Sequence, residues 1–312
     1  MYFVRDERPS PNMSGHQRTG ESRMKWQQGR RSTNVEDRRG QKVKKAGAIG
    51  GGTALLMGGL GLLLGGDPLY ILMMVLEATA GGQPVQTRAP TAEEDVAADF
   101  VSSVLAYTED TWAEIFAEEG LTYQPATLVL FTDVVNSACG FNSAATGPFY
   151  CPLDGQVYID VGFFDELERL GGEGDFAGAY VIAHEIGHHV QNLLGTSDRV
   201  RQAQQAARNR AQANQLSVML ELQADCYAGV WAHHANESEL RATGIPLLDD
   251  GDLEEGLQTA AAIGDDRLMR QAGRAASPES FTHGTSEQRA RWLSVGFQTG
   301  ELGACDTFAT GG

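Results

Sequence analysis

The stretch "VIAHEIGHHV", residues 181–190, holds three of the chain's seven histidines and one glutamate within six positions. His184, Glu185 and His188 form the pattern H-E-x-x-H. On a helix, positions i and i+4 share a face, so His184 and His188 can hold one metal ion between them. Glu185 projects about 100° further round the axis, beside the ion rather than onto it. There it can accept a proton from an attacking water. Ile182, Ile186, Val190 and Leu193 give the same helix an apolar side for a core. Gly187 is unfavourable in a helix interior and points to close approach by another segment. His189 lies one step past the ligand face and reads as a surface or supporting histidine.

A catalytic zinc site needs three protein ligands and one open position. "ELQAD", residues 221–225, is the best source of the third. Glu221 and Asp225 are again i and i+4, inside an apolar stretch running from "VML" to "CYAGVWA". Glu221 can ligate the ion, and Asp225 can hydrogen-bond the second nitrogen of a ligand histidine and fix its tautomer. A solvated acidic helix face is the plain alternative. His233 and His234 are rival third ligands, three turns downstream. A His₂Glu set favours zinc over magnesium or calcium, which take oxygen shells. An iron oxygenase would present the same ligand types, but a glutamate base at the second motif position favours hydrolysis. His283, in "SFTHGTSEQRARW" (280–292), sits just before a helix expected to start at the Thr285/Gln288 capping box. Near a zinc it could donate to an oxyanion.

The rest of the chain reads as α+β, mostly helical, with a small sheet ahead of the H-E-x-x-H helix. A helix starts at Thr91, where Thr91 and Glu94 have capping-box spacing. Val96, Phe100, Val104, Trp112, Ile115 and Phe116 then recur near helical period. "ATLVLFTD" (126–133) and "QVYIDVGFF" (156–164) read as strands. "FDELERL" reads as a short helix. Residues 175–194 form the histidine helix, and a long helix follows from about 198. Two more occupy about 252–272 and 285–299.

Apolar content of 42% and charged content of 21% fit a globular protein, but the charge is unevenly placed. Residues 1–45 carry a net +7, and residues 46–312 a net −24 with no lysine. Such a split suggests parts facing different surroundings. Residues 46–66, "AGAIGGGTALLMGGLGLLLGG", are uncharged and long enough to cross a bilayer as a helix, with nine glycines among them. Arg38, Arg39, Lys42, Lys44 and Lys45 precede this run, and no Lys or Arg follows until Arg88. The positive-inside rule then gives a single span with a cytoplasmic N-terminus. A cleaved signal peptide ending near "ATA" (78–80) is the competing reading. The expected organisation is a basic, largely disordered cytoplasmic tail (1–45), a transmembrane helix (46–66), a linker (67–91) and an extracytoplasmic domain (92–312). Met24 looks like a natural start. The cysteines, Cys139, Cys151, Cys226 and Cys305, are even in number and suit two disulfides in an exported domain. Cys139 and Cys151 flank a Gly/Pro/Ser-rich loop and suit a local bridge, which leaves Cys226 with Cys305. A structural metal is the weaker alternative, since no C-x-x-C pair occurs. The acidic, lysine-free domain argues against nucleic-acid binding.

"GRRSTNVEDRRG" (29–40), "CG…GPFYCP" (139–152), "VYIDVGFF", "HEIGHHV", "ELQADCYAGVWAHH" and "FTHGTSEQRARWL" occur in this order. Together they resemble the bacterial neutral zinc metallopeptidases, small membrane-anchored proteins, from about Met24 to the end. The resemblance implies a zincin-like domain with one catalytic Zn²⁺ and a peptide or protein substrate. Similarity to the wider glutamate-zincin group implies His184, His188 and Glu221 as zinc ligands, Glu185 as general base and Asp225 as the aspartate supporting a ligand histidine. "THGTSEQR" is similar to the T-H-P-x-x-x-x-R segment of membrane-embedded heat-shock and prenyl-processing metallopeptidases. That likeness implies an active-site role for His283 and a supporting one for Arg289, although Gly284 stands where the proline would be. The expected activity is peptide-bond hydrolysis, with "VYID" as the strand that pairs with substrate. The rival readings are a catalytically silent, zinc-containing module tethered to the membrane and a structural zinc staple with a fourth ligand.

Overall fold

Thr91 opens the first long helix among the described residues, α1 (Ala92–Glu118), with its side chain accepting from the Glu94 N–H and the Glu94 carboxylate accepting from the Thr91 N–H. This satisfies donors that a helix N-terminus leaves orphaned. Phe100, Val104, Trp112, Ile115 and Phe116 are buried along one side, as the periodicity predicts, but Val96 is 61% exposed. The computed structural model describes residues 24–41 and 88–310. The expected transmembrane run, residues 1–23 and the linker up to residue 87 lie outside the described residues. Among those described, no helix is long and apolar enough to cross a membrane.

The strands are β1 (Val35–Asp37), β2 (Thr127–Phe131), β3 (Val134–Ser137), β4 (Gly140–Ser143), β5 (Phe149–Cys151) and β6 (Gln156–Asp160). Four of them form one sheet in the order β1-β2-β6-β5, and β3 pairs with β4 in a hairpin. β1, β2 and β6 run parallel, with Val35 opposite Leu128 and Leu128 opposite Val157. β5 is antiparallel to β6, placing Phe149 beside Tyr158. The buried runs "TLVLF" and "VYID" suit a central position with both faces covered.

β1 overturns part of the expected organisation. Residues 24–41 are no disordered tail: Met24 is fully buried, Trp26 packs edge-on against Phe100, and the Lys25 N–H donates to the Leu247 carbonyl. The segment "RRSTNVEDRR" carries few large apolar residues, so it shows no strand periodicity. Pairing with β2 and ion pairs with α1 hold it in place.

The remaining helices are α2 (Phe163–Leu170), α3 (Asp175–Leu193), α4 (Thr196–Gln205), α5 (Arg210–Thr243), α6 (Asp252–Ala262), α7 (Asp265–Gln271), α8 (Ser286–Thr299) and α9 (Thr307–Thr310). The long helix expected from about 198 is two, α4 and α5, and α5 takes a fresh cap from Asn209, whose side chain accepts from the Gln212 N–H. The stretch near 252–272 is likewise two helices, α6 and α7, separated at Gly264. α8 begins at the Thr285/Gln288 capping box. Both expected disulfides form, Cys139–Cys151 and Cys226–Cys305. The second ties α5 to the chain after α8.

Candidate metal centre

α3 carries the H-E-x-x-H pattern and crosses α5 closely at Gly187. A Cβ there would lie 3.0 Å from the Ala224 carbonyl oxygen and 3.1 Å from its Cα. The missing side chain lets the two backbones approach and brings Glu221 against the ligand face of α3. His184 Nε2 lies 3.2 Å from Glu221 Oε2, and His188 Nε2 lies 3.5 Å from Glu221 Oε1. One ligand atom from each of the three residues falls within 4.8 Å of the others. His233 and His234 are not part of the group. Their rings bond the Phe297 and Gly300 carbonyls at the end of α8.

Both ligand histidines are oriented from behind. The Nδ1–H of His184 donates to Asp225 Oδ1 at 2.8 Å. The Nδ1–H of His188 donates to Gln191 Oε1 at 2.9 Å. Each contact leaves Nε2 facing Glu221, which is how outer-shell partners fix the tautomer of metal-binding histidines. Asp225 is fully buried and saturated: it also accepts from the Tyr180 hydroxyl at 2.5 Å and from Arg289 Nε and Nη2, each at 2.9 Å. Gln191 in turn donates to the Leu220 carbonyl and to Gln223, fixing its own orientation. Tyr180 and Gln191 were missed by the sequence reading, though their spacings, four before His184 and three after His188, place them near the ligand face.

The electrostatics favour a cation among these side chains. Burial alone would push His184 down, but Asp225 and Glu221 outweigh it and push the imidazole up to about 10. His188 moves up for the same reason, against burial, through Glu221. Glu221 is held well below the usual carboxylate range despite its burial, by His188 and His184. A field that draws a proton to this spot also draws a metal ion. Two imidazoles and a carboxylate, with their outer nitrogens satisfied, fit zinc.

The group lies in a cleft of about 1060 Å³. Glu185 lines it, buried and without a hydrogen-bond partner among the described residues. His283 and Arg289 line the same cleft. Asp265 holds the His283 loop: its Oδ2 accepts from the Thr282 and His283 N–H groups, each at 2.7 Å, and from Gly284 at 3.2 Å, while its Oδ1 faces His283 Nδ1 at 3.2 Å. That hydrogen bond raises the His283 pKa against the effect of burial. Gly284 has φ +101°. Proline, fixed near −65°, cannot occupy that conformation, so the departure from T-H-P is built into the loop. Asp265 lies on α7, distant in sequence, and nothing in the chain's pattern pointed to it.

Two other expectations change. His189 is buried rather than at the surface, with Nε2–H donating to the Gln124 carbonyl at 2.6 Å and Nδ1 beside the Tyr150 hydroxyl. It braces α3 from outside the centre. "VYID" is β6, whose two edges are taken by β2 and β5, so it cannot pair with a substrate. β5 is one of the two edge strands of this sheet, the other being β1, and its Phe149 and Tyr150 line the cleft.

A family model described as "Putative neutral zinc metallopeptidase" matches residues 24–308. The uncharacterized protein YpfJ of Escherichia coli (strain K12) is 46% identical over 301 residues, which cover 91% of this chain and 99% of that protein. The uncharacterized protein Rv2575 of Mycobacterium tuberculosis (strain ATCC 25618 / H37Rv) is 46% identical over 185 residues, covering 58% of this chain and 61% of that one. No solved structure matches the chain.

Proposed function

The chain belongs to this family of neutral zinc metallopeptidases, and from that premise we propose that it hydrolyses peptide bonds with Glu185 as general base. The observation that carries the reading is a His₂Glu group in an open cleft beside a buried Glu185 that makes no hydrogen bond among the described residues. His184, His188 and Glu221 would hold one zinc, which when bound supplies Lewis acidity to the attacking water and the scissile carbonyl. Glu185 takes the proton of the attacking water and delivers it to the leaving amine. His283, held by Asp265, which favours its protonated form, donates to the oxyanion that develops on the carbonyl. Asp225, Tyr180, Arg289 and Gln191 keep the two imidazoles in one tautomer. An extended substrate would lie along the free edge of β5, using backbone hydrogen bonds rather than side-chain recognition.

The uncharged run 46–66 attaches the chain to a bilayer in this reading, and two disulfides support an oxidising, extracytoplasmic setting for the domain. Removal and return of the metal tests the activity. Cleavage of an unfolded protein should stop with a chelator and resume with added zinc. Cleavage that persists in chelator contradicts the reading.

A further inference from the structure

The basic segment and the acidic body are two halves of one surface. Arg30 binds Asp110 through Nε at 2.9 Å and Glu109 through Nη2 at 2.8 Å. Arg31 pairs with Asp99 at 2.6 Å, and Lys25 pairs with Asp249. Arg39 reaches Asp95 at 3.1 Å and the Glu94 carbonyl at 2.7 Å. Glu109, buried on α1, also accepts from Ser32 at 2.5 Å and Asn34 at 2.7 Å. Part of the charge asymmetry that suggested two compartments is thus answered within one fold. Single surface ion pairs contribute little each. Here they accompany a buried Met24, a buried carboxylate and a strand pairing.

The far end of the segment closes the argument. A Cβ at Gly40 would lie 2.6 Å from the Arg88 carbonyl oxygen. The chain therefore leaves the described fold at Gln41 and re-enters it at Arg88 at one place on its surface. One bilayer crossing between these points would separate them by a hydrocarbon core about 30 Å thick. Contact at Gly40 and one crossing are incompatible.

We propose that residues 24–41 and the metal-binding domain lie on the same side of the membrane. This rests on the membrane attachment proposed above and is independent of the zinc chemistry. It replaces the single span with a cytoplasmic segment 24–41.

Cysteine labelling of the full chain in a bacterial host tests this. Thr33 and Ser277 are exposed, one on the segment and one on the domain. All four native cysteines are in disulfides, so the unsubstituted chain is the blank. Thr33→Cys and Ser277→Cys variants are treated with a membrane-impermeant maleimide in intact spheroplasts and after lysis. Both should react before lysis. Reaction of both only after lysis also supports the shared side and moves the domain to the cytoplasm. Reaction of Ser277→Cys before lysis and of Thr33→Cys only after it overturns the inference. Release of the unsubstituted chain into the soluble fraction overturns the attachment and this inference with it, leaving the zinc reading intact.

Discussion

Arg289 of α8 grips Asp225 of α5 with two parallel hydrogen bonds, Nε to Oδ2 and Nη2 to Oδ1, each 2.9 Å long and both groups buried. Asp225 in turn accepts the Nδ1–H of His184. His184, one of the candidate metal ligands, is thus fixed by a charge pair behind it. Burial would raise the Asp225 carboxyl, but Arg289 and His184 hold it down at about 2. Removing Arg289 leaves a buried carboxylate without its main counter-charge. Arg289→Met should cost about 3–5 kcal/mol of stability, read by urea unfolding with chelator present. Arg289→Lys should also be destabilised, because an ammonium cannot reproduce the two-pronged geometry. Wild-type stability in both variants would show that the pair is incidental.

Gln191 does for His188 what Asp225 does for His184, through a neutral acceptor. Gln191→Leu should weaken zinc binding by roughly 10–100-fold, measured by competition with a chromophoric chelator. Gln191→Glu, which keeps the acceptor, should lose less. Equal losses would mean that Gln191 acts by packing alone.

Close contact between α3 and α5 at Gly187 sets the distance from Glu221 to the histidines. Gly187→Ala must displace the Ala224 backbone. The expected cost is about 1–3 kcal/mol, as for other overpacked sites, together with weaker zinc binding. A destabilised variant with unaltered zinc affinity would uncouple the crossing from the site.

Glu255 gives the fold a pH dependence away from the centre. Burial pushes its carboxyl up to about 7, and the neighbouring Asp252 adds to the shift. The unfolded carboxyl titrates at about 4.3. Between those values the folded chain keeps a proton that the unfolded chain has released. Stability from this group is therefore lost as pH rises through that window, and stays lost above it. Glu255→Gln should raise the urea midpoint over wild type at pH 8 and leave it unchanged at pH 4. An equal shift at both pH values would contradict this account.

The centre was legible because its chemistry is local in sequence. His184, Glu185 and His188 lie within one helical turn, and Glu221 and Asp225 repeat the same spacing on an apolar helix, so both pairs declare a face. The capping boxes at Thr91 and Thr285 fixed two helix starts for the same reason. What escaped depends on distant partners. Asp265 organises the His283 loop from another helix. β1 has too few apolar residues to announce itself and is held by pairing with β2 and by carboxylates on α1. Arg38 and Arg39, which follow it and were read as the flank of a membrane span, pair with Glu36, Asp37 and Asp95. The position of β5 at a sheet edge, unpaired on that side among the described residues, emerges only from the strand order, which periodicity does not encode.

The central claim is that Glu185 moves the proton while His184, His188 and Glu221 hold the metal. Glu185→Gln separates the two roles. Zinc content and cleavage of an unfolded protein should be measured on the full chain, wild type beside variant. The account predicts one equivalent of zinc in both and cleavage by the wild type alone. Equal cleavage by the zinc-loaded variant would contradict it.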